Sequence, residues 1–72
     1  MKNDIIEINP NKVSGTPVFA GTRIPIKNLF DYLEGGENLE DFLEGFPPVT
    51  RQQAVAVLEM AEKSLIKEVA AH

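Results

Sequence analysis

Four carboxylates, Glu37, Glu40, Asp41 and Glu44, fall close together in the chain. Paired carboxylates can perform general acid–base work or hold a magnesium ion. Either role needs an apolar wall or a nearby cation to move a pKa, and the surrounding sequence supplies neither. Their spacing instead describes the wet side of an amphipathic helix. The single histidine is His72, at the last position, where a general base would rest on a fraying terminus. With no cysteine there is no thiolate nucleophile, no disulfide framework and no Cys-based zinc or iron–sulfur site. Neither Gly15 nor Gly21 is followed by the Gly-Lys-Ser/Thr of a phosphate-binding loop. Met60 and Tyr32 read as core or interface fillers. The residues therefore point to no enzyme, no cofactor and no metal.

What remains is charge. The chain has 72 residues, 43% hydrophobic, with 7 Lys+Arg against 11 Asp+Glu and a net charge of -4. Residues 1–27 carry +2, residues 28–50 carry -6 with no base among them, and residues 51–72 sum to zero. The acidic block consists of Asp31, Glu34, Glu37, Glu40, Asp41 and Glu44. Such a block repels a nucleic-acid backbone and attracts a basic protein; read structurally, it is a solvated helix face. The polar start and the short apolar runs predict a soluble, cytoplasmic chain with no signal peptide and no membrane partner. A chain of this length buries only about 60% of its unfolded surface, so a single domain spanning 1–72, with self-association, is the expected organisation.

These residues must be positioned by few elements. Ile5, Ile6 and Ile8 form a β-branched run closed by Asn9-Pro10-Asn11, and Val18-Phe19 and Arg23-Ile24 flank an Ala20-Gly21-Thr22 corner. Residues 1–24 thus read as an extended arm or short hairpin, and residues 25–70 as three helices. The first helix starts at Pro25, repeats Ile26, Leu29, Phe30 and Leu33, and stops at Gly35-Gly36. The second is capped by Asn38 with Asp41 three residues on, carries Leu39, Phe42, Leu43 and Phe46, and ends at Gly45 before Pro47-Pro48. Thr50-Arg51-Gln52-Gln53 has the pattern of a capping box, and nothing breaks a helix from there to about Ala70. Ala54, Val57, Leu58, Ala61 and Leu65 form its stripe toward the first two helices. Val55, Ile66 and Val69 widen that stripe on a flank, which suits a homodimer interface.

One arrangement of parts is distinctive: Asn9-Pro10, then Gly15-Thr16-Pro17-Val18-Phe19-Ala20-Gly21-Thr22-Arg23-Ile24-Pro25-Ile26, then Leu33-Glu34-Gly35-Gly36, Leu39-Glu40-Asp41-Phe42-Leu43 and Phe46-Pro47-Pro48-Val49-Thr50. It resembles the small prokaryotic family called domain of unknown function 433, over residues 5 to 65. The resemblance implies a mainly α, homeodomain-like three-helix bundle with an N-terminal β arm, often dimeric. It also implies an antitoxin role beside a PIN-like ribonuclease toxin. In such a fold the second and third helices form a helix-turn-helix, which presents Thr50, Arg51, Gln52 and Gln53 to the major groove. Arg51 can read guanine, either glutamine can read adenine, and Thr50 can hold a phosphate. The same four residues also serve simply as a capped helix start.

Read on their own, Gly15 and Gly21 supply backbone angles closed to other residues, and Pro17 and Pro25 fix the approach to the first helix. Arg23 can clamp a carboxylate of its own fold, contact a partner or reach a phosphate; a clamp to Asp31 or Glu34 is the expectation. The chain is thus expected to be an antitoxin of a type II toxin–antitoxin module. The acidic block would meet the PIN-like toxin, and the protein would also bind its own promoter DNA. The competing readings are a stand-alone helix-turn-helix transcriptional regulator and a dimerisation module that binds no DNA.

Overall fold

In a computed structural model, the backbone of residues 3–70 and the side chains of residues 3–68 are described. Two short strands, β1 (Ile6–Glu7) and β2 (Val18–Phe19), precede three helices, α1 (Lys27–Glu34), α2 (Leu39–Gly45) and α3 (Arg51–Ala70). The fold is a mainly helical bundle with an N-terminal β arm, as the sequence predicts. The strands pair antiparallel, Ile6 opposite Phe19 and Glu7 opposite Val18. The tight corner expected around Gly21 is also present: Val18 bridges Pro25, and the Phe19 N–H donates to the Ile24 carbonyl at 3.0 Å. Val18 and Phe19 therefore sit between two extended neighbours, which satisfies their backbone groups on both sides.

Sequence punctuation sets the helix ends. Gly36, at φ +89°, closes α1. The Gly36 N–H reaches the Leu33 carbonyl and the Glu37 N–H reaches the Tyr32 carbonyl, the paired bonds of a left-handed helix stop. Asn38 and Asp41 cap α2 reciprocally, each side chain accepting from the other's backbone N–H. Thr50 and Gln53 do the same for α3, at 3.1 Å in both directions. Gly15 and Gly21 have φ of +80° and +78°. Val13 and Ser14 share the left-handed region with Gly15, so three consecutive residues turn the wrong way for L side chains.

Phe19, Leu29, Phe42, Val49, Ala54 and Val57 form the core, one or two residues from every layer. Phe19 and Phe42 meet at 5.8 Å between ring centroids, and Phe42 in turn packs on Phe46 and Tyr32. Tyr32 stands edge-on to Phe42 and Phe46, which places it among the partly buried fillers, as expected.

One expectation is corrected. Leu65 does not face the first two helices; it is 63% exposed. The reason is length. At 1.5 Å per residue α3 runs roughly 30 Å and α1 about 12 Å, so α3 outruns the body it packs on near Ala61. Met60, at 44% exposure, lies outside the core, which leaves the interface as the place for the role read from the sequence.

Because Phe19 joins the arm to all three helices, Phe19→Ala should cost about 3–5 kcal/mol, enough to unfold most of so small a domain. Urea denaturation followed by circular dichroism checks this; a loss below about 1 kcal/mol would show that the arm is not part of the core.

Candidate functional site

Three surfaces carry the residues singled out by the sequence. The first is the start of α3. Arg51 and Gln52 are exposed there, and the Arg51 guanidinium donates to the Glu40 carboxylate of α2. The pair is exposed on both sides, so its contribution to stability is small, but it engages the one cation at this helix start. Gln53 points the other way. Its Oε1 accepts from the Thr50 N–H, while its Nε2 donates to the Ala20 carbonyl at 3.0 Å and to the Asp4 carbonyl at 3.4 Å. Both ends of the Gln53 amide are occupied in tying the arm to α3. Arg51 and Gln52 therefore present themselves to solvent, Thr50 caps, and Gln53 fastens.

The second surface is the acidic one. Asp31, Tyr32, Gly35, Glu37, Asp41 and Glu44 line a shallow, open concavity of about 520 Å³ between α1 and α2. Glu34 and Glu40 are exposed on the same two helices. Lys27 donates to both Asp31 oxygens, at 2.7 and 2.9 Å, and this hydrogen bond, then the Asp31 charge, raises the Lys27 pKa. The Glu37 carboxyl is also raised, first by its hydrogen bond with Asp41, then by the Asp41 charge, and last by slight desolvation. Among the described residues no group of three or more carboxylates or histidines is arranged to hold a metal ion.

The expected Arg23 clamp is absent. Lys27, one helical turn away from Asp31, reaches that carboxylate first, and Arg23 stands exposed with no ion pair among the described residues. The buried clamp of this fold was not anticipated: Glu7, only 5% exposed, accepts from the Gly21 N–H at 3.1 Å and from Lys12 Nζ at 3.2 Å. Its signal lies in the alternation Ile6-Glu7-Ile8, which turns Glu7 to the face opposite its two isoleucine neighbours.

The third surface is the far end of α3. Leu65 and Ile66 are more than half exposed there, while Val55 is half-buried nearer the body. The side chain of Val69, and the whole of His72, lie outside the described residues. Among the described residues no helix is long and apolar enough to cross a membrane.

Comparison with known proteins adds a family. Residues 6–61 match the model of a family described as "Protein of unknown function (DUF433)". The chain belongs to this family. A crystal structure of a DUF433 member protein from Anabaena variabilis ATCC 29413 superposes with a TM-score of 0.72 at 25% identity, covering 96% of this chain and 70% of that one. No curated protein matches. The DUF433 match takes in the arm, α1, α2 and α3 as far as Ala61, and it ends where α3 leaves the body.

The Glu37–Asp41 pair generates a test of the acidic surface. A carboxyl whose folded pKa lies above its unfolded value destabilises the fold while ionised; the penalty is full above the raised pKa and gone below the ordinary 4.5. Glu37→Gln should therefore raise the melting temperature at pH 7, with the advantage over the parent shrinking as the pH falls through the carboxylate range. A lower melting temperature at pH 7 would contradict the pairing.

Proposed function

We propose that this DUF433 protein is an antitoxin-type interaction protein that neutralises a PIN-like ribonuclease toxin by protein–protein binding, with binding to its own promoter DNA as a second activity. The family itself names no function, and the toxin class comes from the resemblance described for the sequence. The observation that carries the reading is charge. Asp31, Glu34, Glu37, Glu40 and Glu44 are exposed and Asp41 half-buried along α1, α2 and their connection. Lys27 and Arg51, the cations beside them, are each bound to one of these carboxylates. The belt therefore faces solvent with two of its six negative charges offset. A ribonuclease must hold a polyanion and so presents cations, to which an acidic belt is complementary.

The DNA activity draws support from Arg51 and Gln52 at the exposed start of α3, with the Thr50 cap beside them. Glu40 is the obstacle as well as the partner, since DNA must displace it from Arg51. That arrangement is the reason DNA is proposed as the second partner and not the first.

The neighbouring gene is expected to encode a small PIN-like protein that co-elutes with this one and whose growth inhibition is relieved on co-expression. Reversing Glu34, Glu37 and Glu44 to lysine should weaken that complex by about tenfold or more. Failure of both co-elution and relief overturns the antitoxin reading.

For the second activity, Arg51→Ala should weaken binding to the protein's own promoter by about 1–3 kcal/mol, and binding by the parent protein should fall steeply with salt. A shift that ignores both the substitution and the salt counts against it.

A further inference from the structure

The part of α3 beyond the body has an apolar sector that nothing among the described residues covers. At about 100° per residue, Leu58, Ala61, Leu65 and Ile66 fall within one sector of the helix. Leu58 and Ala61 are half-buried at the edge of the body, and the sector then emerges at Leu65 and Ile66, 63% and 60% exposed. Two large aliphatic side chains in water at the end of a continuous stripe are a costly arrangement unless something covers them.

The charges around the sector say what that is. Glu62 lies within it, one turn before Ile66, and Glu59 and Glu68 border it on either side, all three exposed. The cations on this half of the helix both fall outside the sector, Lys63 beyond Glu59 and Lys67 on the opposite side. A second copy laid parallel along the sector would set Glu59, Glu62 and Glu68 against the same three carboxylates, and in either orientation two molecules each of net charge -4 would be brought together. A basic segment meets no such penalty.

We infer that the C-terminal half of α3 is a docking surface for a basic amphipathic helix of a partner protein, whose apolar side covers Leu65 and Ile66 and whose cations meet Glu59, Glu62 and Glu68. This deepens the antitoxin reading, on which it rests for the partner's identity: it assigns α3, in addition to the acidic belt, to the toxin's grip. Recognition is helix against helix, with the aliphatic pair giving affinity and the carboxylates giving selection.

The test uses the full chain and two labelled synthetic helices, one of leucine and lysine at amphipathic spacing and one in which glutamate replaces every lysine. Fluorescence anisotropy should show the lysine helix binding at least tenfold tighter than the glutamate helix. L65S/I66S, whose side chains are already in water and whose folding circular dichroism can check, should lose at least tenfold; E62K/E68K should reverse the preference between the two helices. Equal binding of both helices, or binding unaffected by L65S/I66S, overturns the inference. So does a concentration-dependent dimer in light scattering that L65S/I66S abolishes, which would assign the face to a second copy. The two readings separate cleanly. Capture of the PIN-like protein unchanged by the α3 substitutions rejects this surface and leaves the antitoxin reading standing. Selective binding of the lysine helix without any capture of that protein does the reverse.

Discussion

The fold depends on carrying Phe19 from an extended arm into the middle of a helical layer. Seven- and eight-residue helices such as α2 and α1 cannot close a core by themselves, and α3 offers mainly Ala54 and Val57 to the interior. Phe19 supplies the missing volume, against Phe42. Holding it there requires the arm to be fixed at several independent points. Val18 and Phe19 use their backbone groups on both sides, Glu7 holds Gly21 in its left-handed conformation, and Gln53 reaches from α3 to the Ala20 carbonyl. The arm is thus one wall of the bundle, which accounts for a family match that begins at Ile6, within β1.

The same economy governs the charges. Glu7 is buried and receives Lys12 and a backbone N–H, Asp31 receives Lys27, and Glu40 receives Arg51. Each pair joins parts of the chain that the fold needs close, or neighbours one turn apart on a helix. After they are made, the surplus negative charge lies along the α1–α2 surface. In terms of what a partner meets, the molecule has an acidic belt, a paired arginine at the start of α3, and an uncovered aliphatic pair at its far end.

Much of this was legible in the sequence because helix ends are written in short-range chemistry. Asn38 with Asp41, Thr50 with Gln53, and Gly36 after Leu33 each act over a few residues, so their spacing is enough to find them. Gly15 and Gly21 were legible for the same reason. The misreadings concern partners distant in the chain. Periodicity continued the stripe of Ala54, Val57, Leu58 and Ala61 to Leu65, but it cannot say where the opposing layer stops, and Leu65 lies beyond it. Of the two carboxylates expected to hold Arg23, Asp31 is taken by a lysine one turn away, and Glu34 makes no ion pair among the described residues. At the candidate site, Gln53 looked free to read a base, whereas its acceptors, the Ala20 and Asp4 carbonyls, lie 33 and 49 residues away in the chain.

That long reach of Gln53 also bears on how the molecule opens. The contacts of α1 with α2 and the cap of α3 are local and can form early, whereas the bonds from Gln53 to Ala20 and Asp4 close large loops and are entropically costly until the helices are in place. The arm is therefore the last part to dock, and because α1, α2 and α3 share one core cluster with Phe19, its release and the loss of that core are a single event. In the cell, the lifetime of this protein would then be set by how often its arm lets go.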